Sequence, residues 1–568
     1  MKKILSALAA LALAASSMAV SVSADSSDGG MRDITTMELV KEMGVGINLG
    51  NTFESCGSWI DDSEVKNFET AWGSPVITQE MIQGMADEGF GVLRIPVAWS
   101  NMMDFDNDYE INADYMARVK EVTQWALDAD MYVIVNIHWD GGWWEDFPTD
   151  TDECMHRYER MWQQICDGFA EYDDHVMFES LNEEGGWSSV WDQWSGTQEQ
   201  KEQSYGLLNE INQKFVDLVR SQDNNNAKRH LLIAGYTTDV DLTCDSLFKM
   251  PEDPLNRCAV SVHYYSPTSF AIAEEDTTWA TPRTFWGTGA DYTELKTQMN
   301  KLKTTFIDNG IPVIIGECAS ASRLNKEASE LVRYNLAVIG EAVDNDLCPV
   351  IWDVAMGEDT DERIYSIYSR KLCKLGDEDF KAGLEDIFAG KKAAEITGRN
   401  LYAVDGDDGS FTIDAATTSD GKITYSTSDE NLATVDENGV VTPLRTGIAR
   451  IVVSSAATDE YRKAEKIVYV RVESDKTGID DPSSVDDNSS DASSSQTSSE
   501  SSSEIGSSSS SADTSASSKT DSSSSKASNT SSKAASNTNT ANPSTGAAYG
   551  LGAAAAVLAA AIVIKKRK

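Results

Sequence analysis

Short apolar runs alternate with longer amphipathic stretches between about residues 25 and 397. Runs separated by helical patterns are typical of βα units, in which parallel strands lie side by side and helices cover the sheet. Eight such units predict an α/β domain that closes into a (β/α)8 TIM barrel. The predicted strands are GVGINLG (44–50), GVLRIPVAW (91–99), YVIVNIHW (132–139), VMFESLNE (176–183), HLLIAGY (230–236), AVSVHYY (259–265), PVIIGEC (312–318) and PVIWDVA (349–355).

Each predicted strand ends in polar side chains. The carboxyl ends of the strands form the active-site face of such a barrel, so we interpret these residues as functional. Carboxylates follow the fourth and seventh strands, at Glu183 and Glu317. Two carboxylates across a cleft suit glycoside hydrolysis, because one protonates the leaving oxygen while the other attacks the anomeric carbon or activates water.

The motifs INLGN, LRIPVAW, VNIHW, FESLNE, SVHYYSP, IIGE and IWD occur in this order between about residues 31 and 390. The ordered set resembles glycoside hydrolase family 5, most closely the bacterial endoglucanases of its broad-specificity cellulase and xyloglucanase branch. The resemblance implies a retaining double displacement without a cofactor, with Glu183 as acid/base and Glu317 as nucleophile. It implies binding or supporting roles for Asn51, Arg94, His138, Asn182, His263, Tyr265 and Trp352.

The resemblance also implies what surrounds the two carboxylates. Arg94 and Tyr265 would orient Glu317 and keep it ionised, since a cation and a hydroxyl donor both favour the charged form. His263 would lie against Glu183.

Four further residues are expected to contact the sugar. Asn182 would bind the 2-hydroxyl, where a contact strengthens in the transition state. His138 and Asn51 would be additional sugar ligands, and Trp352 would form the platform under the ring at the point of cleavage.

The chain departs from the family pattern at three positions. Glu184 stands where the family usually has Pro, and this carboxylate either raises the pKa of the neighbouring acid or points to solvent. Trp139 replaces the second residue of a His pair, and Cys318 replaces an aromatic residue. Glu179, inside the fourth strand, is expected to face a helix rather than substrate.

Composition limits the possible partners. A formal net charge of -45 argues against nucleic acid and anionic membranes, which require Lys and Arg. The five His residues include no ligand pair on a helix, so no metal site is predicted. The expected partner is a β-glucan, preferably a β-1,4-glucan, with xyloglucan, mixed-linkage glucan, mannan and xylan as alternatives. A surface adhesin that binds polysaccharide without cutting it is the rival class.

The sequence pattern changes after the predicted catalytic domain (25–397). Residues 398–474 have short alternating strands and turn signals, which predict a small β-sandwich. The run LATVDENGVVTPLRTGIARIVV resembles bacterial Ig-like domains of group 2. Residues 475–541 are Ser-rich and nearly free of apolar side chains, so they predict a disordered linker.

Both termini carry predicted targeting segments. Two lysines, an apolar run and small residues up to Ala24 predict a secretory signal peptide over residues 1–24. Residues 542–568 combine NPSTG, an apolar stretch and a basic end, and they resemble a sortase sorting signal. Sortase would cut after Thr545 and join the chain to peptidoglycan of a Gram-positive wall, so the protein is expected to be extracellular. Membrane contact would be transient and limited to the C-terminal segment.

Overall fold

The computed structural model describes residues 30–273, 275–278, 280–321, 326–355 and 366–477. The predicted signal peptide and sorting signal lie outside the described residues, as does almost all of the predicted linker. Within the described residues, no helix is both long enough and apolar enough to cross a membrane. All eight cysteines are free thiols.

Eight parallel strands form a closed barrel, in which each strand pairs with the next and the last pairs with the first. Each lies within one of the eight predicted runs or begins one residue before it, so the predicted barrel is confirmed. The strands are β1 Gly46–Asn48, β2 Val92–Ile95, β3 Tyr132–Asn136, β4 Val176–Glu179, β5 Leu231–Ala234, β6 Cys258–Tyr264, β7 Val313–Cys318 and β8 Cys348–Ile351.

Helices follow or precede these strands and cover the outside of the barrel. Several begin at side-chain caps, including Thr35 before α1 and Thr197 before α6, which accept hydrogen bonds from otherwise unpaired N–H groups. The helices are α1 Thr36–Met43, α2 Lys66–Glu69, α3 Gln79–Asp87, α4 Ala113–Asp128, α5 Thr151–Gly168, α6 Gln198–Arg220, α7 Val240–Thr243, α8 Thr268–Ala271, α9 Gly289–Thr305, α10 Ala328–Asp344 and α11 Glu378–Phe388.

The lower part of the barrel interior is apolar. Alternate residues of the strands meet there in one cluster, to which α1 adds Leu39, Val40 and Met43. Because side chains alternate along a strand, the next inward position of each strand lies nearer the carboxyl end. The strand members of the cluster, which we call the lower layer, are Val92, Tyr132, Ile134, Met177, Leu232, Ala259, Ile314, Cys348 and Val350.

Strand β7 contains a bulge at Gly316. On the β6 side, the consecutive residues Val262 and His263 pair with Ile315 and Glu317, so β7 has one extra residue. On the β8 side, Ile315 and Cys318 are three positions apart but pair with Pro349 and Ile351, which are two positions apart. Ile314 faces the lower layer, so regular alternation would turn Glu317 toward the helices. The extra residue reverses the alternation, and Glu317 faces the interior as a result.

After the barrel, the short hairpin β9 Tyr368–Ser369 and β10 Lys374–Leu375 precedes α11. The region beyond forms a four-stranded sheet (β12, β19, β18, β15), a three-stranded sheet (β13, β17, β16) and the pair β11 and β14. Residues of these sheets share one hydrophobic cluster, which supports an all-β domain, and the Ig-like resemblance stays a prediction. The strands are β11 Ile396–Gly398, β12 Leu401–Val404, β13 Phe411–Thr412, β14 Ala415–Thr417, β15 Ile423–Thr427, β16 Ala433–Val435, β17 Val440–Pro443, β18 Gly447–Ser455 and β19 Ala464–Val472.

The all-β region packs directly on the barrel. Arg333 of α10 donates from Nε to Glu465 of β19 at 2.8 Å, and the Arg333 side chain is only 4 % exposed. The backbone N–H of Ile467 donates to the carbonyl of Gly287 at 2.8 Å. A largely buried ion pair and a backbone bond therefore fix this contact.

Candidate active site

Arg94 is the centre of the polar network at the carboxyl end of the barrel. It follows Val92 of the lower layer by two residues, so it also points inward, and it is fully buried. Nε donates to Glu179 at 2.7 Å, Nη1 to Glu317 and to Asn48 at 3.0 Å each, and Nη2 to Asn182 at 2.9 Å. Burial opposes the charge, but the two carboxylates raise the pKa of Arg94 above its usual value.

The expectation that Glu179 faces a helix is wrong. Its side chain is fully buried inside the barrel, where it pairs with Arg94 and accepts a 2.7 Å hydrogen bond from the Ser261 hydroxyl. Glu179 lies two residues after Met177 of the lower layer, so strand alternation turns both side chains inward.

Glu317 is surrounded by donors. Arg94 reaches one carboxylate oxygen at 3.0 Å, and the Tyr265 hydroxyl donates to the other at 2.9 Å. His138 Nε2 and His263 Nδ1 each lie 3.6 Å from the carboxylate. Burial raises the pKa of Glu317, but His263, His138 and Arg94 together outweigh it and hold that pKa far below the usual range. These neighbours therefore favour the ionised form of Glu317.

Glu183 lies beside Glu317 and shares a histidine with it. His263 Nδ1 is 2.7 Å from Glu183 Oε1, and the Glu183 side chain is 11 % exposed. One oxygen of each carboxylate and a ring nitrogen of His263 all lie within 4.8 Å of one another. The structure thus brings the two predicted carboxylates together across the end of the barrel.

The other predicted sugar ligands lie around this pair. Asn182 is almost fully buried, and its side-chain oxygen is held by Arg94. The His138 and Trp352 rings are nearly parallel, at 14° and 6.2 Å between centroids. Asn51 has a left-handed backbone with φ of 54°, and its amide lies 3.4 Å from the Trp72 carbonyl.

Two further polar residues support the site: Asn48, which is one of the polar side chains that end the predicted strands, and Glu54, which was not predicted as a member. Asn48 donates to the Gly316 carbonyl at 2.9 Å and so ties β1 to the bulge of β7. Glu54 accepts from the backbone N–H groups of Asn51 and Thr52 and stabilises the left-handed turn. The sequence indicates Asn48 because it lies near the end of a predicted strand, whereas nothing in the local pattern distinguishes Glu54 from an ordinary loop acid.

Asp140 was also missed. It is buried in the loop after β3, where it accepts hydrogen bonds from the Ser100 N–H at 3.2 Å and from Trp143 Nε1 at 2.5 Å. Burial raises its pKa. Asp140 joins the loops after β2 and β3 beside the site.

Glu184 does not point to solvent. Only 8 % of the residue is exposed, and one carboxyl oxygen accepts a 2.6 Å hydrogen bond from the Asn182 N–H. Burial raises the pKa of Glu184 to about 8.

Among the described residues, two groups have donor atoms close enough for a metal ion. They are Glu183, His263 and Glu317, and Asp173, Asp174 and His175. Each already contains a carboxylate paired with an arginine, since Arg94 binds Glu317 and Arg32 binds Asp174 at 2.8 Å. A guanidinium beside one carboxylate of each group disfavours a second cation there.

A closed (β/α)8 barrel whose carboxyl face joins an ionised carboxylate to a second carboxylate is the arrangement of a glycoside hydrolase. The family model of cellulase (glycosyl hydrolase family 5) matches residues 54–356, more than half of the chain. The chain belongs to this family and is a glycoside hydrolase.

Named relatives agree with this assignment. Endoglucanase B of Clostridium cellulovorans is 32 % identical over 352 residues, covering 62 % of this chain and 76 % of the relative. A broad-specificity endoglucanase from an uncultured bovine rumen ciliate matches in structure with a TM-score of 0.57 and 33 % identity, covering 63 % of this chain and 99 % of its own. A xyloglucanase of Bacteroides ovatus, solved with a XXXG heptasaccharide, matches with a TM-score of 0.54 and 31 % identity. The match covers 63 % of this chain and 77 % of the xyloglucanase chain.

Proposed function

We propose that the protein is an exported endo-β-1,4-glucanase that cleaves cellulose-like glucans by a retaining double displacement. The observation that carries the proposal is the pairing of Glu183 and Glu317 around His263, with their nearest oxygens within 4.8 Å. Retaining enzymes have carboxyl groups about 5–5.5 Å apart, whereas inverting enzymes keep them about 6.5–9.5 Å apart to admit water. The short separation supports direct attack by Glu317.

In the first step, Glu317 attacks the anomeric carbon while Glu183 transfers its proton to the departing glycosidic oxygen. The bond between the anomeric carbon and that oxygen breaks, and a bond to Glu317 forms. Arg94 and Tyr265 hold the attacking carboxylate in position at 3.0 and 2.9 Å. Because these donors are already in place, little reorganisation is needed as charge moves toward the sugar.

In the second step, Glu183 is a carboxylate and accepts a proton from water. The water oxygen attacks the anomeric carbon, and Glu317 leaves as a carboxylate. His263, at 2.7 Å from Glu183, keeps the acid/base oriented through both steps. Asn182 is held by Arg94 with its amide available to the 2-hydroxyl, where a hydrogen bond stabilises the oxocarbenium-like state.

The substrate class rests on the relatives and on the exposed aromatic surface. The relatives bear the names endoglucanase, broad-specificity endoglucanase and xyloglucanase. Of the described tryptophans, the three exposed ones, Trp59, Trp139 and Trp194, all lie in loops that follow strands. Loops that follow the strands lie on the active-site face of such a barrel, and flat aromatic faces there suit the apolar faces of a glucan chain. We place β-1,4-glucan first and xyloglucan, mixed-linkage glucan, mannan and xylan after it.

We also propose that the enzyme is held on the cell wall of a Gram-positive bacterium by sortase. This location rests on the sequence of residues 1–24 and 542–568, which lie outside the described residues. The expected result in a sortase-positive host is that the full chain is released by muralytic digestion. Loss of residues 542–568 should instead release it into the medium, and retention after this deletion would contradict wall anchoring.

The activity is tested with the purified protein on carboxymethyl cellulose, xyloglucan, lichenan, glucomannan and xylan. We expect new reducing ends, fastest on a β-1,4-linked glucan, and their loss in the Glu317→Gln variant. Proton NMR during the first minutes should show the β-anomer of the product, because two displacements restore the original configuration. Early accumulation of the α-anomer would contradict the retaining mechanism.

Binding decides between the enzyme and a lectin-like protein if no cleavage is seen. Retained binding of a glycan without new reducing ends on any of the five substrates would overturn the proposed activity. Cleavage that persists at full rate in Glu317→Gln would show that Glu317 is not the nucleophile.

A further inference from the structure

Glu184 is a buried acid that the double displacement does not use. Its carboxyl accepts the Asn182 N–H at 2.6 Å, and its backbone carbonyl accepts the Thr237 N–H at 2.9 Å. It directly follows Glu183 in the chain. The side chain therefore supports the turn that presents both Asn182 and Glu183.

No basic side chain of the described residues forms an ion pair with Glu184. This distinguishes it from Glu179 and Glu317, which share Arg94. A buried carboxylate without a counter-ion is costly, so the neutral acid is the stable form in such a position.

The groups that face Glu184 are mostly acidic. Glu183 precedes it and Asp140 approaches from the loop after β3, and the charge of each disfavours a further carboxylate. Tyr158 of α5 also interacts with Glu184, and its phenol donates to the Ser180 carbonyl. Two cations of this region bind other groups: Arg157 interacts with Asp140 and the Ser100 hydroxyl, and Arg94 binds the side chain of Asn182.

We propose that Glu184 is a positioning residue that works in its protonated form, in which it supports the Asn182–Glu183 turn without adding charge beside the acid. The idea rests on the proposed hydrolase function. When Glu183 gives its proton to the leaving oxygen it becomes an anion. An ionised Glu184 next to it opposes that transfer by like-charge repulsion, so ionisation of Glu184 inactivates the enzyme. The raised pKa of Glu184, about 8, is consistent with this state at neutral pH.

The test is the alkaline limb of kcat/KM against pH, measured on lichenan or xyloglucan. These neutral glucans have poor leaving groups that require proton donation. If Glu183 and Glu184 must both be protonated, the logarithm of kcat/KM falls with a limiting slope of about −2 above about pH 8. We expect Glu184→Gln to be active and to show a limiting slope of about −1 instead of about −2. Gln keeps the shape and the acceptor but does not titrate.

Glu171→Gln is the matched control, because it removes an exposed acid outside the site. We expect it to keep the steeper wild-type slope. Equal slopes for the wild type and Glu184→Gln would overturn the proposal. A wild-type slope of about −1 would also overturn it, even if the variant did not fold. Absence of cleavage by the wild type at every pH would contradict the proposed function itself, and the slopes would then not apply.

A stability measurement tests the protonated state without any activity. The pKa of Glu184 is about 8 in the folded protein against an ordinary value of 4.5, so the folded state binds more protons between these values. Stability from this group is complete below about pH 4.5 and is lost as the pH rises toward about 8. The Tm of Glu184→Gln minus that of the wild type should therefore grow over this range. A constant difference would contradict the protonated state.

Discussion

The two ends of the barrel interior are built on the same strands but hold different residues. The lower layer is apolar and is covered by α1, whereas the next inward positions carry the network of Arg94. On one strand the layers are only two positions apart, as in Val92 and Arg94, or Met177 and Glu179. The lower layer stabilises the barrel by burying apolar surface, whereas the upper layer is stable only because each charge has a partner.

The largest expected effect comes from removing the central charge of the upper layer. Arg94→Met leaves Glu179 and Glu317 buried without their cation, and we expect a loss of about 3–5 kcal/mol in the free energy of unfolding. We expect kcat/KM to fall by at least about 10³-fold, because Glu317, the proposed nucleophile, loses its orienting donor. Urea unfolding and initial rates measure the two effects. Unchanged stability would show that the two ends do not differ as described.

The bulge at Gly316 gives the next largest effect. A Cβ atom there would lie 3.0 Å from the Ser261 hydroxyl and 3.2 Å from His263 Nε2, so Gly316→Ala must displace the upper layer. We expect kcat/KM to fall by about 10–100-fold, because small displacements of reacting groups have effects of this size. Gly206→Ala in α6 is the control, since nothing lies within 4 Å of its added methyl group. Equal activity of the two variants would refute a positional role for the bulge.

A substitution in the lower layer should lower the stability of the protein and leave its activity nearly unchanged. Val92→Ala creates a cavity two residues before Arg94 on the same strand, and we expect a loss of about 2 kcal/mol in the free energy of unfolding. The kcat/KM of the folded protein should stay within about twofold of the wild type, since no charge loses its partner. A large loss of activity below the unfolding transition would show that the two layers are coupled.

The smallest effect is expected at the rim above the upper layer. Trp139 is 39 % exposed, and the residues on both sides of it are fixed by hydrogen bonds, His138 to the Val97 carbonyl and Asp140 to Ser100. We expect Trp139→Ala to raise KM for a soluble glucan by about 3–10-fold with little change in kcat, as for the loss of one stacking contact. Phe388→Ala, an equally exposed aromatic on α11, should have no effect on KM. Equal KM values for both variants would exclude a sugar contact at Trp139.

That the predicted site residues would lie together could be anticipated from the sequence, because their signals are local. Each follows a strand that alternation and composition identify, and the topology of a parallel barrel brings all strand ends to one face. The failure at Glu179 has the opposite cause. Its side chain points inward because it lies two residues after Met177, whose side chain also points inward. The sequence does not show this direction, because β4 is buried on both faces and carries apolar residues on both, so no alternation of apolar and polar residues is visible.

The sequence by itself determined the eight strands, the face that carries the polar residues and the two carboxylates, because these follow from periodicity and from motifs of a few residues. Only the tertiary structure decided how the carboxylates meet. Arg94 lies 85 residues from Glu179 and 223 residues from Glu317, and the bulge at Gly316 exists only relative to β6 and β8. Register between strands and the pairing of buried charges are non-local, so no short segment of the sequence can specify them.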